Sequence, residues 1–224
     1  MRIIKDNVGQ AYQTGYDVLK DRGTALVPVC PANSHFSHEN IDELMRITTE
    51  NFSDVYVFVP DRITEFTYQA RGYSQKRSRQ KSHKQGNQLR NRVRSSIEKL
   101  ADVPNASSPV VLDWVEDVDN NNEFQIELNR LKDLYRDDTH FNLEVTFETQ
   151  GVVMDKLLPT SPLAPAIIGS NYVLSELAWL TASPVVLGVP NLVYIYHKQW
   201  FLDRFINGEF DNRKRSNLGF LLIN

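Results

Sequence analysis

Two short apolar runs, Ala25-Leu26-Val27-Pro28-Val29-Cys30 and Val55-Tyr56-Val57-Phe58-Val59-Pro60, bracket a stretch whose apolar positions Ile41, Leu44, Met45 and Phe52 fall near helical spacing. Strand, helix, strand in that order admits few solutions. Parallel neighbours need a long crossover, and the helix supplies it, so the segment predicts a parallel βαβ unit. Val110-Val111-Leu112-Asp113-Trp114-Val115 reads as a third strand, and the alternation of β-rich runs with amphipathic stretches predicts an α/β fold. Ser34 or Ser37 can cap the first helix. Residues 105–108 and 117–122 are loop-like, and Phe124, Ile126, Leu128, Leu131 and Leu134 mark a further helix. Ser170 or Asn171 can cap a short helix through Leu180. Val185 to Val189 and Leu192 to Tyr196 read as strands, and Trp200 to Phe205 as a last helix.

The chain of 224 residues, 41% hydrophobic, can bury one sizeable core, and with no repeat and no linker a single domain over residues 1–224 is expected. Its start, Met1-Arg2-Ile3-Ile4-Lys5-Asp6, lacks a secretory apolar stretch, and no apolar run approaches the roughly 20 residues of a membrane span. A soluble, cytoplasmic protein without a membrane partner is expected. Cys30 is the only cysteine, which excludes an internal disulfide and a cysteine-rich zinc site. His35, His38, His83, His140 and His197 offer no ligand spacing beyond His35-x-x-His38, so no metal is expected.

The net charge of -3 conceals an asymmetry. Residues 71–99 hold ten Lys/Arg against Glu98 alone, an excess of nine positive charges, while the remainder carries 15 basic and 27 acidic residues. Such a segment calls for a polyanion. From Gln88 to Leu100, Leu89, Val93, Ile97 and Leu100 form one apolar stripe, which leaves Arg90, Arg92, Arg94 and Lys99 mostly on other faces, open to solvent or phosphate. Gln75 to Gly86 has no apolar residue and is expected to be mobile until a partner orders it.

Ser34, in Pro31-Ala32-Asn33-Ser34-His35-Phe36-Ser37, directly follows a predicted buried strand, where α/β sheets place their ligand crevice. That location suits a nucleophile, although on spacing alone a helix cap is the preferred reading. Gly-x-Ser-x-Gly is absent, which counts against an α/β-hydrolase. Cys30 is a possible thiol nucleophile but more readily packs as a small hydrophobe in an apolar strand. Tyr172 and Glu176 share one helix face and can converge on an ammonium group, or they can be a buried tyrosine and a solvated glutamate. Tyr196-His197 ends the last predicted strand.

Taken in order, these pieces resemble the tRNA-dependent cyclodipeptide synthases. The pieces are Asn33-Ser34-x-Phe36 after its strand, Val57-Phe58-Val59-Pro60-Asp61, Gly72-Tyr73 leading to Leu89-Arg90-Asn91-Arg92-Val93-Arg94, Tyr172-Val173-Leu174-Ser175-Glu176-Leu177, Leu187-Gly188-Val189 and Tyr196-His197. The resemblance implies a Rossmann-like parallel sheet flanked by helices, like the catalytic domain of class I aminoacyl-tRNA synthetases, and it favours helix over strand for residues 141–158. It implies an aminoacyltransferase that joins the aminoacyl groups of two aminoacyl-tRNAs into a cyclodipeptide. Because the substrates are already activated esters, no ATP and no cofactor are implied, and the His-Ile-Gly-His and Lys-Met-Ser-Lys-Ser signatures of adenylate formation are indeed missing.

By the same resemblance, Ser34 accepts the first aminoacyl group in a ping-pong reaction through an aminoacyl-enzyme and a dipeptidyl-enzyme. Tyr172 and Glu176 hold its α-amino group, Tyr196 assists proton transfer and His197 supports it. Cys30, Ala32, Trp179 and Leu180 are placed near the first aminoacyl pocket, and Ser37 at a substrate-binding position. Ser37 and Gln199 depart from one branch of the family and suggest the other. Lys84, Arg90, Arg92 and Arg94 would grip tRNA phosphates, and monomeric action is implied. The competing readings are an aminoacyl-tRNA deacylase, a noncatalytic tRNA-binding protein and a hydrolase of small esters.

Overall fold

The computed structural model describes residues 1–4, 9–31, 33–101, 107–153, 163–198 and 201–224. Its sheet has six strands: β1 (Ile3–Ile4), β2 (Thr24–Pro28), β3 (Asp54–Phe58), β4 (Val110–Leu112), β5 (Leu192–Tyr196) and β6 (Leu218–Ile223), in the order β1-β6-β5-β2-β3-β4. Every pairing is parallel except β1 with β6. The expectation of a parallel sheet is thus corrected at one edge, where the chain's two ends meet and Arg2 and Asn224 exchange backbone hydrogen bonds of 2.8 and 3.1 Å.

The period-2 alternation of the strands builds two cores. Ala25, Val27, Val55, Val57, Val193 and Ile195 point to one face, against Ile41, Leu44 and Met45 of α2 (His38–Asn51) and Leu89 and Val93 of α4 (Gln75–Lys99). Leu26, Phe58, Leu192 and Tyr194 point to the other. There they meet α5 (Asn122–Asp137), α6 (Thr139–Val153) and α7 (Leu163–Val186). The helices α1 (Gln10–Lys20), α3 (Asp61–Ala70) and α8 (Leu202–Ile206) complete the layers.

Between β2 and β5 the order of the strands reverses. From β2 the chain winds through α2 to β3 and on to β4, and it then returns to β5 on the other side of β2. The carboxyl ends of β2 and β5 therefore flank a switch point, the crevice in which open α/β sheets bind their ligands.

Several local expectations are corrected. Gln75–Gly86 is the first half of α4, capped by Ser74, and not a mobile segment. Ser78, Ser82 and Gly86 recur at four-residue spacing, all buried, and their small size lets α4 lie close against α3, where Ser82 Oγ donates to the Asp61 carbonyl. A count of apolar residues alone misses that face. Val185 to Val189 is the end of α7 and the turn at Gly188, not a strand, because helix continuity overrides the β preference of valine. Ser170 and Asn171 lie inside α7, not at its start. Ser170 Oγ donates to the Ile167 carbonyl at 2.8 Å, which satisfies a buried hydroxyl within the helix.

The third strand stops at Leu112, since Asp113 caps a π-helical turn, Trp114–Asp119, by accepting from the Val115 and Glu116 amides. The last helix is Leu202–Ile206, with Trp200 outside the described residues, and β6 follows it unforeseen. Within β6, a Cβ on Gly219 would lie 2.5 Å from the Gly15 nitrogen, so only glycine lets α1 settle on the sheet here. The helix expected within 141–158 is α6, and residues 154–158 lie outside the described residues.

Candidate active site

Past the end of β2, the chain crosses Cys30 and turns at Asn33 to Phe36 before α2 begins. Ser37, not Ser34, caps α2, with its Oγ accepting from Asn40 N at 3.2 Å. Ser34 is therefore left exposed, on the wall of a cavity of about 580 Å³. The turn itself is fixed from within: Asn33 Oδ1 accepts from His35 N at 3.0 Å, and Asn40 Nδ2 donates to the His35 carbonyl at 2.6 Å.

The Asn33 amide also reaches β5. Its Nδ2 donates to Tyr196 Oη at 3.3 Å and meets His197 Nε2 at 2.9 Å. The ring nitrogen must accept that bond, which leaves the His197 proton on Nδ1. His35 stacks on His197 with centroids 3.8 Å apart. Burial, the neighbouring His35 and Lys198 together lower the His197 pKa to about 4, and burial lowers that of His35, so both rings are neutral at pH 7.

Tyr172 and Glu176 lie one turn apart on α7, facing Tyr194 and Tyr196, which alternate to the same side of β5. Tyr194 Oη donates to Glu176 Oε1 at 2.7 Å. Tyr172 Oη lies 3.3 Å from Cys30 Sγ and within hydrogen-bonding reach of Glu176, and Tyr196 Oη lies 3.9 Å from the same sulfur. Burial raises the Glu176 carboxyl to about 7, against the opposing pull of hydrogen bonds from Tyr194 and Tyr172. The same burial pushes Tyr172, Tyr194, Tyr196 and the Cys30 thiol well above their usual ranges. Phenols and thiol thus stay neutral, which removes Cys30 as a nucleophile at neutral pH. Glu176, poised between its two forms, can accept hydrogen bonds from an amine and take or return its proton.

The family model for cyclodipeptide synthase matches residues 10–224. The chain belongs to the cyclodipeptide synthase family. Solved structures of similar shape include a cyclodipeptide synthase from Bacillus thermoamylovorans, with 20% identity over 98% of both chains and a TM-score of 0.83. A Mycobacterium tuberculosis cyclodipeptide synthetase described as related to type I tRNA synthetases has 19% identity over 96% of this chain and 94% of that one, at a TM-score of 0.78. A tyrosyl-tRNA synthetase from Archaeoglobus fulgidus reaches a TM-score of 0.52 with 12% identity, over 94% of this chain and 57% of its own. No curated protein sequence matches this chain. The protein is accordingly an enzyme of cyclodipeptide synthesis, on a helix-flanked sheet whose fold it shares with these solved structures.

In this synthase the expected site residues divide into groups. Tyr172, Glu176, Tyr196, His197 and Cys30 come together at the switch point and are tied through Asn33 to the turn that carries Ser34, which faces the adjoining cavity, whereas Ala32 lies outside the described residues. Trp179 and Leu180 are fully buried in the core, and Trp179 packs edge-on against Phe58. Ser37 is an exposed helix cap.

On α4, Lys84 and Arg94 are exposed, and Arg92 is half-buried, donating to the Phe36 carbonyl at 3.3 Å. Arg90 is a correction. It is 8% exposed and donates to Asp61 Oδ2 at 2.7 Å, because Gly86, one turn earlier, brings α4 against the start of α3, where the buried Asp61 carboxylate needs a partner. Two contributors escaped the sequence reading. In the sequence Asn33 stands only as part of a motif and Tyr194 as a strand residue, although Tyr194-x-Tyr196 at strand spacing signals two hydroxyls on one face. Among the described residues, no group of three or more His, Cys, Asp or Glu side chains could hold a metal ion. Among them, too, no helix is long and apolar enough to cross a membrane.

Proposed function

We propose that this synthase joins two aminoacyl groups delivered by two aminoacyl-tRNAs, by a ping-pong reaction on Ser34 and without ATP. The observation that carries the reading is Glu176, buried with its pKa raised to about 7 among three neutral phenols, in a cluster tied through Asn33 to the turn that presents an exposed serine. A site built in this way holds a primary amine and manages its proton.

Ser34 Oγ attacks the first ester carbonyl. The ribose oxygen departs with the serine proton, and the aminoacyl group remains as a serine ester. Its amine sits between Tyr172 and Glu176, where Glu176 accepts a proton and so frees the lone pair. That lone pair attacks the ester of the second aminoacyl-tRNA, a peptide bond forms, and the second ribose oxygen leaves protonated through Tyr196. The free amine of the dipeptidyl ester then attacks the carbonyl held on Ser34. The second peptide bond closes the ring and Ser34 regains its proton, helped by the tethering of the two groups. His197, neutral and bound to Asn33, keeps Tyr196 in place. Lys84, Arg92 and Arg94 meet tRNA phosphates, so salt weakens binding.

The test is mass spectrometry of medium from cells expressing the protein or its Ser34→Ala variant. A cyclic dipeptide mass with the first alone supports the proposal. Release of free amino acid from aminoacyl-tRNA with no cyclic product would instead establish the deacylase, and salt-sensitive tRNA binding with neither product would establish a binding protein.

A further inference from the structure

The cavity beside Ser34 has a chemical character of its own. Arg71, Lys81 and Arg92 line it together with the amides of Gln85 and Gln88, and among the described residues no carboxylate lies on its wall. The cleft on the other side of α4 is balanced instead, with Asp61, Glu65 and Asp119 facing Arg62 and Arg79. Three cations and several neutral donors around a space of about 580 Å³ specify an anion with hydrogen-bond acceptors, in a volume suited to a small organic ligand.

Lys81 and Arg92 are kept in place without being neutralised. Lys81 Nζ lies 4.9 Å from the centre of the Tyr73 ring and 5.4 Å from that of Tyr68, and Arg92 donates to the Phe36 carbonyl. Among the described residues neither forms an ion pair with a carboxylate, whereas Arg79, Arg90 and Lys99 on the same helix do. A held but uncompensated charge is ready for a ligand, because little ordering remains to be done when the ligand arrives.

Ser34 on the same wall sets a further condition, since the anion must belong to a molecule whose reactive carbonyl reaches the serine. We infer that this cavity receives the 3′-terminal nucleotide of the aminoacyl-tRNA, with its 5′-phosphate held between Lys81 and Arg92 while its acylated ribose meets Ser34. This rests on the proposed function and refines it, because phosphate recognition is divided between an outer surface on α4, which follows the tRNA body, and one inner site that positions the reacting ester.

The experiment compares two inhibitors of the purified enzyme, a 3′-aminoacylamido-3′-deoxyadenosine with and without a 5′-phosphate, against turnover of aminoacyl-tRNA. The phosphorylated compound should bind about tenfold more tightly, as a charge-assisted contact requires. Lys81→Met and Arg92→Gln should each reduce that preference towards unity, while Lys84→Met, on the exposed face, should weaken binding of whole tRNA and leave the preference intact. Equal inhibition by the two compounds overturns the inference but leaves the serine mechanism standing, as does a preference that survives both cavity variants. A protein that never consumes aminoacyl-tRNA overturns the parent reading as well.

Discussion

Replacing Glu176 with glutamine tests the electrostatics of the site through stability alone. Burial raises the carboxyl from 4.5 to about 7, while in the unfolded chain it titrates near its ordinary value. The folded protein therefore binds this proton more tightly. The contribution of Glu176 is fully present below about pH 4.5 and is lost as the pH rises through about 7. A shift from 4.5 to about 7, at 1.36 kcal/mol per unit, corresponds to about 3 kcal/mol in full, of which about 2.5 kcal/mol falls between pH 5 and pH 8. Cys30, Tyr172, Tyr194 and Tyr196 face the carboxyl, and all are held neutral across that window. His35 and His197 titrate alike in both proteins and cancel. Glutamine keeps the shape and an oxygen that accepts from Tyr194 but cannot ionise. Urea unfolding of wild type and Glu176→Gln at pH 5, 6, 7 and 8 should show the variant gaining about 2.5 kcal/mol on the wild type across the series. A difference constant to within about 0.5 kcal/mol would refute the reasoning.

Gly86→Ala should cost about 1 to 2 kcal/mol in urea unfolding although alanine is the better helix former, since its Cβ would collide with Asp61. Arg90→Met should cost about 3 to 5 kcal/mol by leaving Asp61 buried and unpaired, while Arg94→Gln should leave stability within about 0.5 kcal/mol and lower the salt slope of tRNA binding by about 1. Asn33→Ala should lower kcat about tenfold to hundredfold with KM and thermal unfolding nearly unchanged, because the amide orients Tyr196 and His197 rather than supporting the core; a matching loss in Tm would show it to be structural.

Much of this molecule is legible in its sequence because its strands are short runs of β-branched and aromatic residues, and Tyr172 and Glu176 stand at helical spacing. Ser34 stands out by resemblance rather than by spacing, and the capping role belongs to Ser37. Elements that depend on a distant partner were harder to read. Ser78, Ser82 and Gly86 look polar and loose until α3 is laid against them, and Val185 looks like strand until α7 is seen to run through it. Arg90 illustrates the same limit in the site, since nothing near it in sequence reveals that Asp61, 29 residues earlier, takes its charge.

The bond from Asn33 to Tyr196 spans 163 residues, and that from Tyr172 to Cys30 spans 142. Closing loops of that length is entropically slow, and parallel strands offer no local hairpin from which to begin. The reactive crevice is consequently an end product of folding: helices such as α4 can form from local contacts, but Asn33 cannot reach Tyr196, nor Tyr172 reach Cys30, until β2 and β5 are joined. In refolding, recovery of catalytic activity should lag behind recovery of helical signal, so that a partly folded synthase carries its cationic helix before it carries any chemistry.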